Sequence, residues 1–145
     1  MNTTVTVSQR ILTQIAAAIV ATTAAAWHTG VRAEPAERIS AQEGVTLKVT
    51  PKPWLSGARE WSFSVTLDTH SQALEDKLSE GTVLVVDGRE VAPVQWTGAA
   101  PAGHHREGVL TFPAPDAQPA AVELRLQRPG EATPRVLRWD ATSLK

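Results

Sequence analysis

Histidine is the residue type in this chain whose side chain is best suited to bind a metal ion. Three of the four histidines follow residue 33: His70 lies in an Asp-Thr-His-Ser stretch, and His104 and His105 are adjacent in a Gly-His-His-Arg stretch. Imidazole and carboxylate groups are ligands for Zn, Cu(II) or Ni(II). We therefore take these three histidines as candidate ligands for Zn or Cu(II), with Asp68 or Glu75 nearby.

Not all of these side chains are expected to reach one ion. Successive side chains of an extended backbone point to opposite sides, so only one of His104 and His105 is expected to take part. The alternative is structural: the histidines hydrogen-bond to backbone carbonyls or pack beneath Trp96. Arg106 is expected to pair with an anion or with Asp68, or else to be solvated or paired locally, which is the usual situation of a surface guanidinium.

Motifs of known catalytic sites are missing from the sequence. The chain has no cysteine and Met1 is its only methionine, which excludes thiolate catalysis, Cys-ligated zinc and a Met-rich copper(I) site. It contains no Gly-x-Ser-x-Gly elbow, no glycine-rich phosphate loop and no His-Glu-x-x-His motif. Asp68, His70 and Ser71 are too close in sequence to form the relay of a hydrolytic triad. We expect a protein that is not an enzyme.

A second candidate surface lies in the proline-containing stretch 50–57, which includes Trp54 and Leu55. If both side chains are exposed, they form an apolar contact patch. The commoner arrangement is that a loop tryptophan folds back and covers the edge of the core.

Residues 1–33 have the layout of a secretory signal peptide. Arg10 precedes an apolar run of mostly small residues, 11–27, no acidic residue is present, and residues 31–33 are a small-x-small cleavage motif. The alternative is a membrane anchor, but threonine and glutamine residues make the run a poor one. We expect cleavage after Ala33 and a periplasmic or secreted product without a membrane span.

The chain after residue 33 is weakly acidic. Once Arg10 and Arg32 are removed, 12 of the 14 basic residues remain against 15 acidic ones, a net charge of −3 with histidine counted as neutral. Without a run of lysine or arginine, there is no electrostatic reason to expect binding to nucleic acid or to anionic lipid. Residues 34–44 are polar without clear periodicity and are expected to be a flexible lead-in to a single domain, residues 45–145.

The rest of the chain is a succession of short segments of strand type. Within residues 60–68, apolar and polar residues alternate, as in a strand with one face in the core. Asp87-Gly88 indicates a hairpin turn between two further segments. The expected strands are residues 45–49, 60–68, 82–86, 90–96, 108–112, 121–127 and 134–140. About seven strands at this spacing predict an all-β, antiparallel, immunoglobulin-like sandwich, with one short helix near residues 72–79.

Strand direction predicts where the histidines lie in such a sandwich. If successive strands alternate in direction, the strands at 60–68 and 90–96 finish at the same end. The two histidine-bearing loops would then meet there, together with residues 128–133. Loops at the end of a rigid sandwich are common positions for ligands.

Three segments of the chain read Leu-Asp-Thr-His-Ser (67–71), Trp-Thr-Gly (96–98) and Gly-His-His-Arg-Glu-Gly-Val-Leu-Thr-Phe (103–112). In this pattern the chain resembles a group of small exported bacterial β-domain proteins of unassigned function, over roughly residues 45–139. The resemblance implies no activity and no site residues. It does imply that the two histidine loops belong to one recurring pattern.

Two functions are consistent with these features. The first is an exported, non-enzymatic binding module that takes a divalent metal or a small ligand through the histidine-bearing loops. The alternative is a structural or accessory domain that docks on another envelope protein by a strand edge or by the Trp54 and Leu55 patch. The fold by itself does not decide between them.

Overall fold

The structure is a computed structural model that describes residue 1 and residues 35–144. Apart from Met1, the expected signal peptide at residues 1–33 therefore lies outside the described residues. Between residues 35 and 144, no helix is long and apolar enough to cross a membrane.

Strands dominate the described part of the chain, which contains nine of them and one helix of four residues. The strands are β1 Arg38–Gln42, β2 Val45–Pro51, β3 Glu60–Thr69, β4 Thr82–Val86, β5 Arg89–Val91, β6 Gln95–Gly98, β7 His105–Pro113, β8 Ala121–Leu126 and β9 Arg135–Asp140, and the helix is α1 Leu78–Gly81. The prediction of an all-β protein is confirmed.

The strands form two antiparallel sheets. The five-stranded sheet has the order β1-β2-β3-β7-β6, and the four-stranded sheet has the order β5-β4-β8-β9. Without β1, this is the order of an immunoglobulin-type sandwich, in which strands A-B-E-D pack on strands C′-C-F-G. The prediction of an immunoglobulin-like sandwich is confirmed, with two more strands than expected.

Alternating side chains of both sheets form the core. Every second residue of β3 from Trp61 to Leu67 is buried, whereas the residues between them lie on the outer face of the sheet. The Phe63 ring centroid is 5.4 Å from that of Phe112 and 6.0 Å from that of Trp139, so the core joins the two sheets. The outer face of the five-stranded sheet is left to polar side chains.

The expectation of a flexible lead-in over residues 34–44 is wrong from β1 onward, because β1 pairs with β2 along its whole length. The turn between them is Glu43-Gly44, with φ values of 47° and 72°. Positive φ at both positions is typical of a two-residue type I′ hairpin, which usually begins with asparagine, aspartate or glycine. Glutamate is unusual in that position, and the strand before it is mostly exposed. The sequence therefore does not indicate this hairpin.

The strand predicted at residues 90–96 is two strands in different sheets. β5 stays beside β4, whereas β6 pairs with β7 in the other sheet. Pro93 lies between them, and because proline cannot donate a ladder hydrogen bond, the chain leaves one sheet there and joins the other. The Asp87-Gly88 turn before β5 is a hairpin, as predicted, with φ values of 46° and 84°.

The short helix predicted near residues 72–79 is present as α1, shifted towards the carboxyl end of that segment. The carbonyls of Leu74 and Asp76 accept hydrogen bonds from the Arg106 guanidinium. A carbonyl bonded in this way does not need a helical partner. Leu74 and Leu78 are both buried, so their spacing does indicate the inward face of the segment.

Residues 36–38 are hydrogen-bonded to the end of β9. The Trp139 indole donates a hydrogen bond of 2.6 Å to the carbonyl of Ala36. Arg38 Nε donates to the carbonyl of Arg138 at 2.9 Å. We call residues 36–38 the N-terminal clasp, because they join an edge of the five-stranded sheet to an edge of the four-stranded sheet.

Candidate histidine site

Two loops that carry histidine meet at one end of the sandwich. His70 directly follows β3, and His104 directly precedes β7, which is antiparallel to β3. The Thr69 amide donates a hydrogen bond of 2.9 Å to the His104 carbonyl. The Leu74 amide donates to the Gly103 carbonyl at the same distance. The two loops are therefore in direct contact, as strand direction predicts.

His105 is the first residue of β7, and strand register places it opposite Asp68 of β3. His105 Nδ1 is 2.6 Å from Asp68 Oδ1, and Asp68 Oδ2 is 3.6 Å from Lys48 Nζ. The hydrogen bond with His105 lowers the pKa of Asp68, and desolvation acts in the opposite direction. An ionised carboxylate can only accept a hydrogen bond, so Asp68 selects the tautomer of His105 that carries its proton on Nδ1 and its lone pair on Nε2.

These residues border a surface hollow of about 450 Å³. We call it the histidine hollow; its lining residues are Thr46, Lys48, Asp68, Thr69, His70, His104 and His105. The side chain of His105 is 60% exposed, and the other two histidines are exposed as well. All three imidazoles are thus open to a ligand that arrives from solvent. His104 and His105 both border the hollow, contrary to the expectation that only one of them would face it, because His104 lies in the loop before β7 and not in the strand.

The candidate ligands share this hollow, but as they lie they do not form a metal site. Among residues 35–144, no group of three His, Asp or Glu side chains is placed to hold a metal ion. Glu107 Oε2 is 3.9 Å from His105 Nε2, whereas Glu75 borders a different surface depression. His105 is the imidazole that a carboxylate holds in place, and His70 and His104 would have to turn towards it.

Arg106 does not face the histidine hollow, so its expected pairing with Asp68 or with an exposed anion is wrong. It follows His105 in β7, and the alternation of side chains along a strand turns it into the interior, where it is 1% exposed. Its guanidinium donates to backbone carbonyls of both histidine-bearing loops. Burial lowers the pKa of Arg106, and the charge of Asp76 opposes that shift.

Trp96, Gly98 and Gly108 form a tight contact at the edge of the five-stranded sheet, next to Arg106. Gly98 of β6 is opposite Gly108 of β7. A Cβ atom on Gly108 would lie 2.6 Å from the Trp96 indole and 2.6 Å from the carbonyl oxygen of Thr97. Close packing therefore accounts for the glycines that follow Trp96 and Arg106 in the sequence.

Gly108→Ala is expected to lower the free energy of unfolding by about 1–3 kcal/mol, the usual cost of overpacking a filled interior. Two of the atoms that the new methyl group meets belong to the backbone of the neighbouring strand and cannot move independently of the sheet. Urea denaturation followed by tryptophan fluorescence measures the change. Glu107→Ala, an exposed neighbour in β7, should change the value by no more than about 0.5 kcal/mol; equal effects of the two substitutions would contradict the packing explanation.

Comparison with known proteins adds no family to these observations. No protein-family model and no curated protein matches this chain. A function has to be inferred from the arrangement of its own side chains.

A buried charge network under the same end of the sandwich was not expected from the sequence. Arg128 donates to both carboxylate oxygens of Asp76, at 2.7 and 3.1 Å, with both side chains at most 3% exposed. Glu131 is 3.0 Å from Arg128 and 2.5 Å from Arg135. The hydrogen bond from Arg135 lowers the pKa of Glu131, with desolvation acting in the opposite direction. Carboxylates and guanidiniums alternate through this network, so each buried carboxylate is paired.

Arg135 also connects the network to the β1–β2 hairpin. Its guanidinium donates to the backbone carbonyls of Ser40, Gln42 and Val45, at 3.0, 2.7 and 2.8 Å. The spacing of Arg128, Glu131 and Arg135 is the one sequence feature that hints at such pairing. Nothing in the sequence indicates that Asp76 is the remote partner.

Trp54 and Leu55 are divided between the core and the surface. Trp54 packs against the core, and its indole nitrogen is buried without a hydrogen-bond partner among residues 35–144. Leu55 is 58% exposed. The exposed apolar surface of this stretch is therefore mainly that of one leucine.

Proposed function

We propose that the protein is an exported, non-enzymatic binding module that takes a divalent transition-metal ion, Zn or Cu(II), in the histidine hollow. The observation that carries the proposal is the hydrogen-bonded pair of Asp68 and His105, with a nitrogen-to-oxygen distance of 2.6 Å. The pair lies beside two further exposed histidines, His70 and His104.

A carboxylate beside a histidine is a common feature of metal sites. The histidine donates one ring N–H to the carboxylate, which fixes the ring orientation and makes the other nitrogen a better ligand. Asp68 is placed to do this for His105, and Nε2 is then the coordinating atom. The hydrogen bond also keeps Asp68 ionised, because it lowers the pKa of that carboxyl group.

The other ligands would come from the two loops. His70 and His104 are exposed, so their imidazoles can turn into the hollow without displacing core side chains. The chain contains no cysteine, and a set of imidazoles with a carboxylate or water suits Zn or Cu(II). Coordination by one residue from β7 and one from each loop would close the hollow around the ion.

The export part of the proposal is supported by the sequence of residues 1–33, which has the layout of a secretory signal peptide. Cleavage after Ala33 would leave residues 34–145 as the processed protein. Small exported domains often use disulfides; without cysteine, this domain would depend on packing and paired charges in such a compartment.

The test is a calorimetric titration of the processed protein with Zn²⁺ and with Cu(II). We expect a dissociation constant of about 1 μM or tighter for one of the two ions, which corresponds to about −8 kcal/mol. His105→Ala should abolish this binding because it removes the oriented ligand. Asp68→Asn should weaken it by about 10–100-fold, the usual effect of losing a carboxylate that orients a metal-binding histidine.

A matched control comes from the same sheet. Gln95 is exposed on β6 and donates its side-chain hydrogen bond to Thr97, outside the hollow. Gln95→Ala should therefore leave the metal affinity unchanged. Absence of heat with both ions, in protein that circular dichroism shows to be folded, would contradict the proposal.

A further inference from the structure

A single buried guanidinium bridges the two loops that border the histidine hollow. Arg106 NH1 donates to the Asp76 carbonyl at 2.6 Å and to the Leu74 carbonyl at 3.4 Å, both in the chain that follows His70. Arg106 NH2 donates to the carbonyl of Ala99 at 3.1 Å, at the start of the loop that ends at His104. The same side chain is therefore hydrogen-bonded to the backbone of both loops.

The loops have few other means of keeping their relative position. Two backbone hydrogen bonds join them, from Thr69 to His104 and from Leu74 to Gly103, each at 2.9 Å. Leu74 takes part in one of them and its carbonyl also accepts from the guanidinium, whereas His104, in the other, lies two residues before Arg106 in the chain. Loss of the guanidinium would therefore loosen these two bonds as well.

Arg106 is itself held rigidly. Its guanidinium carbon lies 5.7 Å from the centroid of the Trp96 ring, in a cation–π arrangement. The indole in turn donates to the Ala99 carbonyl at 3.1 Å and packs closely on Gly98 and Gly108. The direction of the guanidinium donors is thus fixed by packing.

From this geometry we propose that Arg106 is the positioning residue of the histidine hollow: it sets the separation of His70 and His104 by binding the backbone of both loops. This inference rests on the proposed metal-binding function for its consequence, which is that the separation of the two imidazoles determines how tightly the ion is held. Arg106 does not touch the ion; it acts through the loops.

The variant Arg106→Lys tests whether the position of the loops depends on the guanidinium group or only on its positive charge. Arg106→Lys keeps the positive charge and much of the stem, but a single ammonium group cannot reach the carbonyls of both loops in the way that a planar guanidinium does. We expect the variant to fold, with a metal affinity about 10–100-fold below that of the wild type, as for other residues that orient ligands. The matched control is Arg125→Lys, an arginine of the other sheet that pairs with Glu123, which should bind the metal as the wild type does.

Amide hydrogen exchange provides a readout that does not depend on metal. In the processed protein, Arg106→Lys should speed exchange of the Thr69 and Leu74 amides by about tenfold or more, because the two loops that these amides join lose the charge-assisted hydrogen bonds from the guanidinium. Core amides such as that of Val65 should keep their wild-type rates. Faster exchange in an otherwise stable protein is not expected of a residue that only contributes to global stability.

The two measurements distinguish the two proposals. If the wild type binds no metal but the exchange at Thr69 and Leu74 accelerates, the proposed function fails and the positioning of the loops by Arg106 stands. If neither exchange nor affinity changes in Arg106→Lys, the positioning proposal is overturned. If Arg106→Lys does not fold, Trp96→Leu removes the surface that orients the guanidinium and should give the same two effects in weaker form; wild-type exchange in that variant would also overturn it.

Discussion

Replacing Asp76 by alanine is expected to lower the free energy of unfolding by about 3–5 kcal/mol, the cost of removing one partner of a buried ion pair. Asp76 is 1% exposed and receives two hydrogen bonds from Arg128, which is 3% exposed. The substitution leaves three buried arginines at this end of the sandwich, Arg106, Arg128 and Arg135, and a single buried carboxylate from Glu131. The repulsion and desolvation of these guanidiniums then oppose folding.

Chemical denaturation at neutral pH measures this effect, and Asp116→Ala is its matched control. Asp116 is exposed, so the same substitution there should change the free energy of unfolding by no more than about 0.5 kcal/mol. A second variant isolates the charge: Asp76→Ala combined with Arg128→Leu removes the stranded guanidinium and should be more stable than Asp76→Ala alone. A loss of less than about 1 kcal/mol for Asp76→Ala would mean that the pair is open to water.

Trp139→Ala is expected to cost about 3–5 kcal/mol, the range observed when a large aromatic side chain is removed from a core. Trp139 is 2% exposed and its ring faces that of Phe63 across the sandwich, 6.0 Å between centroids. Its indole also holds the N-terminal clasp through the carbonyl of Ala36. One substitution therefore opens a cavity between the sheets and releases the strand edge that the clasp covers.

Two companion variants separate these contributions. Trp139→Phe keeps most of the ring volume but loses the hydrogen bond, so it should cost less overall while the Ala36 amide, which donates to the Ser143 carbonyl, exchanges faster with solvent. Trp54→Ala removes the same side chain from a half-buried position whose indole nitrogen has no partner in the described part of the chain. If Trp54→Ala proved as costly as Trp139→Ala in urea denaturation, the assignment of Trp139 to the centre of the core would be wrong.

The sandwich could be predicted because most of its strands and turns have recognisable local sequence patterns. The alternation within residues 60–68 indicates which side chains face the core, and Asp87-Gly88 indicates a turn whose backbone few other residue pairs adopt. β1 is different: it is exposed on most of its length and follows no such pattern. It is a strand because it pairs with the free edge of β2. Such pairing depends on the tertiary structure, and the local sequence does not indicate it.

Part of the candidate site could also be predicted from the sequence. Strand parity was enough to bring the loops of His70 and His104 to one end. The pairing of Asp68 with His105 depends on the register of β3 against β7, two strands that are far apart in sequence, and a shift of one residue would have placed His105 in the core and Arg106 outside. For the same reason, the inward direction of Arg106 could not be foreseen.

The burial of three arginines could not be predicted from residue type. Arginine is rarely buried unless it is paired, so Arg128 and Arg135 look like surface residues when they are read along the chain. Apart from Glu131, their partners come from distant parts of the chain: the Asp76 carboxylate for Arg128 and carbonyls of the β1–β2 hairpin for Arg135. The structure thus places charge at one end of the sandwich, where loops must be held, and apolar side chains between the sheets.

The N-terminal clasp has a consequence for behaviour at high concentration. On one side of the sandwich the edge strands β1 and β9 are neighbours, joined by the hydrogen bond from Arg38 to the carbonyl of Arg138. The edges on the opposite side belong to β5 and β6, which have three and four residues. Short edges offer few free backbone groups to a strand from another molecule. Along this side, two copies of the protein therefore have little opportunity to extend each other's sheets when the folded form is concentrated.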